Sequence, residues 1–226
     1  MHRGADVAAN LAAIRARIER AGGDPDAIAI VAVTKGQPVE ACLAAVAAGL
    51  TVLGENRVQE ALDKMDGVPG ASWHLIGHLQ TNKARHAGRF ALVQSLDSVR
   101  LAEAMARRGP TAALLEVNVA REPQKHGVAP ELAVETAAAV AGLVDLRGLM
   151  AIGPSSGDPR PAFAELRRLR DEAEQRLGRR LPTLSMGMSG DLDEAVAEGT
   201  TMVRIGTALF GPRAAVGEGT GGVRSW

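Results

Sequence analysis

The sequence contains no tyrosine, and aromatic residues of all kinds make up only 2% of its 226 residues. Its core is therefore expected to consist of Ala, Val, Leu, Ile and Met, and with 46% hydrophobic residues it can be large. Basic and acidic residues balance at 26 each, so the formal net charge is zero. This balance removes the usual electrostatic basis for binding nucleic acid or an anionic membrane, and we expect neither as a partner.

Cysteine is almost absent as well, since Cys42 is the single thiol and no disulfide can form within the chain. That fits a reducing compartment, and the expected role of Cys42 is that of a small buried hydrophobe in a helix. Charges are scattered through the first 20 residues, which therefore do not resemble a signal peptide. No apolar run has the length of a membrane span. Together these features predict a cytoplasmic protein.

Short apolar runs of strand type alternate with helical patterns along the chain. An amphipathic helix is predicted first, at residues 5–21. Eight strands are predicted at 27–33, 50–54, 73–77, 91–96, 113–119, 146–152, 181–187 and 201–206. Helices are predicted between them at 39–49, 97–109, 131–143, 161–178 and 191–199.

This alternation predicts an α/β fold, a single closed (β/α)8 barrel of the TIM type with an extra N-terminal helix. An open doubly wound sheet is the alternative, but no GxGxxG sequence follows the first strand. The barrel is expected to occupy residues 1–213 as one domain. Residues 214–226 are rich in glycine and are expected to form a disordered tail.

Two cationic residues are the first candidates for a functional site. Lys35 shares a strand face with Val31 and Val33, and Arg204 lies near the end of the last predicted strand. In a closed barrel the first and last strands are neighbours, and functional groups lie at the carboxyl ends of strands. A lysine there would be partly desolvated, which favours its neutral, nucleophilic amine. Two cations facing one small space predict an anionic ligand.

Each cation also has a purely structural alternative. Lys35 could be an exposed loop residue before Pro38, and Arg204 could form an ion pair with Glu55.

The loops after the last two strands predict a phosphate site. Residues 185–191 and 204–211 both combine glycine with hydroxyl side chains, so N–H and O–H groups can converge on an anion. The alternative is that Ser189 or Asp191 is an ordinary helix N-cap. No metal site is predicted, because there is no CxxC and no carboxylate-rich cluster. His74 and His78 are four apart but straddle a strand–loop junction.

Eight segments carry a more specific signal: AVTK (32–35), GENRVQE (54–60), WHLIGHLQTNK (73–83), LEVNV (115–119), KHG (125–127), LRGLMAIG (146–153), LSMGMSGD (184–191) and MVRIGTALFG (202–211). Taken in order, they resemble the pyridoxal 5′-phosphate (PLP) homeostasis proteins, the YggS/PROSC family. The resemblance extends over about residues 7–213.

The resemblance implies the barrel of alanine racemase, PLP fold type III, without the second domain of that enzyme. It also implies a PLP Schiff base on Lys35, with Asn56 lining the cofactor face. The residues that match phosphate-holding positions are Ser185, Gly206 and Thr207. Arg204 matches an arginine that faces the pyridine nitrogen and keeps it unprotonated, which weakens the ring as an electron sink.

Three positions depart from the pattern of the family. Arg57 stands where many members have an aromatic residue, and His78 where proline is frequent. Gly190 stands where an acidic residue is common. All three flank the expected site.

The function predicted from the sequence is that of a monomeric PLP carrier or reservoir that catalyses nothing itself and passes PLP to apo-enzymes. The alternative is a PLP-dependent amino-acid racemase or decarboxylase, although a two-base racemase of this type needs a tyrosine opposite the lysine. A lysine-dependent aldolase acting on a sugar phosphate would also explain Lys35 and the phosphate loops. A yellow protein would distinguish PLP binding from the aldolase.

Overall fold

Eight short and largely buried segments form parallel strands in the computed structural model, which describes residues 6–211. The strands are β1 Ala29–Val33, β2 Val52–Glu55, β3 Ser72–Leu75, β4 Leu92–Leu96, β5 Ala112–Glu116, β6 Asp145–Met150, β7 Thr183–Ser185 and β8 Met202–Ile205. Each strand pairs with the next one along the chain, and β8 closes the barrel against β1. The predicted (β/α)8 barrel is therefore confirmed, and the alternative prediction of an open doubly wound sheet is wrong.

Helices surround the barrel: α1 Val7–Arg20, α2 Val39–Ala47, α3 Val58–Met65, α4 Val99–Ala106, α5 Ala133–Val140, α6 Arg160–Leu177, α7 Leu192–Ala197 and α8 Thr207–Phe210. Two 3₁₀ segments, Thr81–Arg89 and Pro130–Leu132, complete the described elements. The predicted N-terminal helix is confirmed as α1, which begins after Asp6, whose side chain accepts the Ala9 N–H at 3.0 Å. Gly178 ends α6 with a φ of 64°, a left-handed conformation that favours glycine.

Helix α3 and the 3₁₀ segment Thr81–Arg89 were not predicted from the sequence. The apolar stripe of α3 is narrow, because its third buried position is a lysine, Lys64, beside Val58 and Ala61. The 3₁₀ segment buries only two alanines, Ala84 and Ala87. Its sequence therefore has the polar pattern that is typical of a loop.

The interior of the barrel holds both apolar and polar side chains. The buried apolar side chains pack together as a small cluster of Val31, Leu92, Leu114, Met150 and Met202. Two residues beyond Leu92, Leu114 and Met202, and so on the same face of their strands, stand Gln94, Glu116 and Arg204, all buried. The polar residues therefore lie toward the carboxyl ends of the strands, where the mouth of the barrel opens.

A second and larger core lies between the strands and the helices, and it includes the fully buried Phe163 and Ile18. Cys42 is completely buried there as a free thiol, as expected. Within residues 6–211, no helix has both the length and the apolar character needed to cross a bilayer. The predicted tail, 214–226, lies outside the described residues.

Candidate functional site

A cavity of about 300 Å³ opens at the carboxyl ends of the strands. Five of the six predicted cofactor-binding residues line it: Lys35, Asn56, Arg204, Gly206 and Thr207. Apolar surface comes from Val33, Ile76, Ile152 and Met188. None of the described lining residues is acidic, so the fixed charges facing the cavity are positive. This composition suits an anionic ligand with an apolar ring.

The pairing of β1 with β8 brings the two cations together. Val31 is in register with Arg204, and Lys35 follows on the same side of the chain. Lys35 is half-buried at the mouth, rather than an exposed loop residue. The ion pair of Arg204 with Glu55 that the sequence left open is wrong, because Glu55 pairs with Lys64, with Nζ 2.7 Å from Oε1.

A buried ionic cluster lies behind the loop that carries Lys35. The Lys64 amine donates to Glu55 at 2.7 Å and to Glu60 at 2.8 Å. The Thr34 hydroxyl donates to the same Glu55 oxygen at 2.7 Å. Glu60 and Lys64 are an i, i+4 pair on α3, a signal that sequence reasoning could have used.

This cluster fixes the backbone on both sides of Lys35. The Lys64 amine also donates to the Thr34 carbonyl at 2.9 Å, and the Gly36 N–H donates to the Glu60 carboxylate at 2.5 Å. Because charge-assisted bonds hold both neighbours, Lys35 is presented to the cavity from a rigid loop.

A chain of buried hydrogen bonds crosses the floor of the cavity. Arg204 donates to the Ser185 hydroxyl at 2.7 Å, and Ser185 donates to the Gln94 carbonyl oxygen at 2.7 Å. The amide nitrogen of Gln94 lies 3.0 Å from Nδ1 of His74. Arg204 also donates to the carbonyls of Ser185, at 3.0 Å, and Ala151, at 2.8 Å. The arginine is therefore locked in one orientation.

The direction of this chain fixes the protonation state of His74. The carbonyl oxygen of Gln94 accepts from Ser185, so its amide donates and Nδ1 of His74 accepts. The imidazole is then neutral, with its proton on Nε2. Burial agrees with this assignment, because it lowers the pKa of His74 to about 4. The sequence analysis did not predict a buried, hydrogen-bonded role for His74.

We expect His74 to make the protein less stable in acid. Its pKa is 6.5 in an unfolded chain and about 4 when folded, so protons bind the unfolded state preferentially as the pH falls through 6.5. Between pH 7 and pH 5, wild type should lose roughly 2 kcal/mol of unfolding free energy relative to His74→Gln. Urea denaturation of both proteins at the two pH values measures this difference.

Glu116 opposes this loss of stability in acid. Burial and, to a smaller extent, the negative charge of Asp97 raise the pKa of Glu116 to about 7. A carboxyl group with a raised pKa stabilises the fold at low pH, and that contribution is lost as the pH rises from 4.5 to 7. The comparison with His74→Gln cancels this term because both proteins contain Glu116. An equal pH dependence in the two proteins would contradict the neutral assignment of His74.

Ser185 does not line the cavity, although the resemblance placed it at the phosphate. It is fully buried, and its hydroxyl is occupied by Gln94 and Arg204. Ser189, four residues further on, lines the cavity instead. Its hydroxyl accepts the Ala208 N–H at 3.3 Å, so it joins the two predicted anion loops rather than capping the next helix.

Asn56 is positioned by a close approach of two loops. A Cβ on Gly77 would lie 2.4 Å from the Asn56 carbonyl oxygen, so a larger residue would push the two loops apart. Among the departures from the family pattern, Gly190 lines the cavity, where an acidic side chain would add negative charge. Arg57 and His78 are exposed.

Comparison with known proteins agrees with this geometry. Residues 5–214 match the family described as alanine racemase, N-terminal domain. A pyridoxal phosphate homeostasis protein of Pseudomonas aeruginosa is 42% identical over 222 residues, which cover 92% of this chain and 96% of that protein.

Solved structures give the same result. PipY of Synechococcus elongatus, solved with PLP bound, is 37% identical, has a TM-score of 0.81, and is matched over 91% of this chain and 100% of its own. Alanine racemase of Corynebacterium glutamicum shares only the fold, with 17% identity, a TM-score of 0.72, and coverage of 94% of this chain and 63% of the enzyme. The chain therefore belongs to the pyridoxal phosphate homeostasis protein family, within the alanine racemase N-terminal domain family.

Proposed function

We propose that this chain binds PLP through a Schiff base to Lys35 and serves as a monomeric cytoplasmic reservoir that supplies PLP to apo-enzymes. The observation that carries the proposal is that Lys35 and Arg204 share one cavity whose described lining has no acidic residue. When bound, PLP supplies an aldehyde that a lysine amine can capture, together with a phosphate that matches the positive lining. The names of the relatives support the same ligand.

Three of the four lysines in the sequence are poorly placed to react with the aldehyde. The Lys64 amine is held between two carboxylates, and Lys83 is exposed in a 3₁₀ segment. The Lys125 amine is bonded to Glu122 at 3.0 Å and to the Gly153 carbonyl at 2.7 Å. Lys35 lines the cavity, so it is the residue to which we assign the linkage.

The phosphate is assigned to the joined loops after β7 and β8. Ser189, Gly206 and Thr207 line the cavity together, and Ser189 contacts the backbone of α8. Two hydroxyl groups and the backbone amides of these loops can donate to phosphate oxygens. This assignment replaces Ser185 with Ser189 and keeps Gly206 and Thr207.

Thr207→Val and Ser189→Ala should each weaken PLP binding about 10- to 150-fold, because a hydrogen bond to a charged oxygen contributes about 1.5–3 kcal/mol. Pyridoxal, which lacks the phosphate, should lose much less affinity. The measurement is a pair of titrations, with PLP and with pyridoxal, for each variant. Ser185→Ala is the matched control and should change both affinities equally. A PLP-selective loss in Ser185→Ala alone would support the assignment from the resemblance and contradict ours.

We assign Arg204 to the position that faces the pyridine nitrogen of PLP. Burial lowers the pKa of Arg204 to about 10, so the guanidinium is still charged at neutral pH. A charged guanidinium donates hydrogen bonds and cannot accept them. Opposite a pyridine nitrogen it donates, and the nitrogen stays unprotonated. The ring is then a poor electron sink, which disfavours carbanion chemistry on a bound amino acid.

The absence of catalysis is supported by how few acid–base groups face the cavity. Among the described lining residues, only Lys35 and Arg204 have ionisable side chains. Racemisation needs a second positioned proton donor and a clamp for the substrate carboxylate. The sequence has no tyrosine to act as that donor.

Absorbance and turnover together test the proposal. The purified PLP-loaded protein should be yellow, and it should show no racemase, transaminase or decarboxylase turnover on common amino acids. Turnover that disappears in Lys35→Ala would establish the enzyme alternative. A colourless protein that cleaves a sugar phosphate would establish the aldolase instead.

A further inference from the structure

A second cluster of polar side chains lies at the mouth of the barrel, among residues that do not line the Lys35 cavity. His78 follows β3, Asp97 follows β4, and His126 lies in the loop after β5. One potential ligand atom from each of the three residues lies within 4.8 Å of the other two. Nδ1 of His78 lies 3.1 Å from Oδ2 of Asp97. Three loops that are distant in sequence therefore bring three metal-ligating groups together.

The loops hold these groups in place. The Ser98 hydroxyl donates to Oδ1 of Asp97 at 3.1 Å, which leaves Oδ2 toward the histidines. The Asn118 amide donates to the carbonyls of Glu122, at 2.9 Å, and Lys125, at 3.3 Å, and so braces the loop up to His126. Braced loops lower the entropic cost of assembling a ligand set.

The two imidazole rings are stacked, with centroids 4.1 Å apart and planes 10° apart. Each imidazole offers a ring nitrogen as a metal ligand when that nitrogen carries no proton. The side chain of His78 is 36% exposed and that of Asp97 18% exposed. Ligands on zinc stand about 2.0–2.2 Å from the ion, so the rings must turn out of the parallel stack to aim a nitrogen of each at one ion. Both histidines are exposed, which leaves them room to turn.

We propose that His78, Asp97 and His126 form a binding site for a divalent transition-metal ion of the Zn²⁺ or Co²⁺ class, separate from the PLP cavity. Two imidazole nitrogens and one carboxylate oxygen suit such ions better than Mg²⁺ or Ca²⁺, which prefer oxygen ligands. Three protein ligands leave a position for water or for a group from another molecule. His78 is one of the departures from the family pattern, so the sequence of this chain supplies a ligand where proline is frequent.

Calorimetric titration of the full, tag-free chain with Zn²⁺ tests the site. We expect one ion per chain, with no displacement by a large excess of Mg²⁺ or Ca²⁺. His78→Gln, Asp97→Asn and His126→Gln should each weaken Zn²⁺ binding by at least about tenfold. Mutation of residues that only hydrogen-bond to metal ligands already lowers metal affinity by about 10- to 100-fold. His86→Gln, a histidine outside the cluster, is the matched control and should bind as wild type does.

Thermal unfolding gives a second readout that does not depend on PLP. Zn²⁺ should raise the Tm of the wild type and of His86→Gln, and should leave that of the triple variant unchanged. Retention of the binding heat by the triple variant would place the ion elsewhere and overturn the site. Displacement by Mg²⁺, or no binding heat at all in the wild type, would also overturn it and leave His78 and Asp97 as an ordinary surface contact.

Discussion

Lys35→Ala is expected to abolish covalent attachment of PLP completely while leaving the barrel folded. The half-buried side chain lies at the mouth of the cavity and does not belong to the apolar core. Its loop is held by Thr34 and Gly36 through bonds that do not involve the side chain of residue 35. The variant should therefore stay folded and lose no more than about 1 kcal/mol of unfolding free energy.

Borohydride reduction followed by peptide mapping measures this prediction. In the wild type the cofactor mass should be found on the peptide that contains Lys35, and in the variant on no peptide. Lys83→Ala is the matched control, because that lysine is exposed and outside the cavity, and it should label as wild type does. A label on Lys83 or Lys125 in the wild type would refute the assignment.

Arg204→Met is expected to cost about 1–3 kcal/mol of unfolding free energy, the range for leaving a buried hydrogen-bond acceptor without its donor. The change leaves the carbonyls of Ser185 and Ala151 without their donor and interrupts the chain of hydrogen bonds to Gln94 and His74. It also removes the positive charge that favours ionisation of Glu116. Urea denaturation at pH 7 measures the loss.

Arg57→Met serves as the matched control, because this arginine is exposed and should change stability by less than about 0.5 kcal/mol. A loss below about 1 kcal/mol in Arg204→Met would show that the buried network is not structural.

The barrel could be predicted from the sequence because a short run rich in apolar residues marks every strand, and five of the seven connections between strands have a helical pattern. Lys35 and Arg204 could also be placed, since alternation on β1 and β8 decides which side chains face inward. Helix α3 was missed because Lys64 occupies a position that is normally apolar. Its amine is buried against two carboxylates, and no local pattern shows that such partners will be present.

Ser185 shows a different limit of sequence reasoning. The motif contains two serines, Ser185 and Ser189, and β7 ends at the first of them. Only the position of the strand end decides which hydroxyl is buried and which one reaches the cavity. The cluster of His78, Asp97 and His126 was missed for a related reason, because its members belong to three loops that only barrel closure brings together.

Transfer of PLP to an apo-enzyme tests the central claim most directly. The PLP-loaded protein is incubated with an apo-transaminase in the presence of a phosphatase that destroys free PLP, and recovery of transaminase activity is followed. We predict recovery well above that given by an equal amount of free PLP, and no recovery with Lys35→Ala that has been exposed to PLP and desalted. Recovery no greater than with free PLP, with the wild-type protein still holding its cofactor, would contradict the reservoir function.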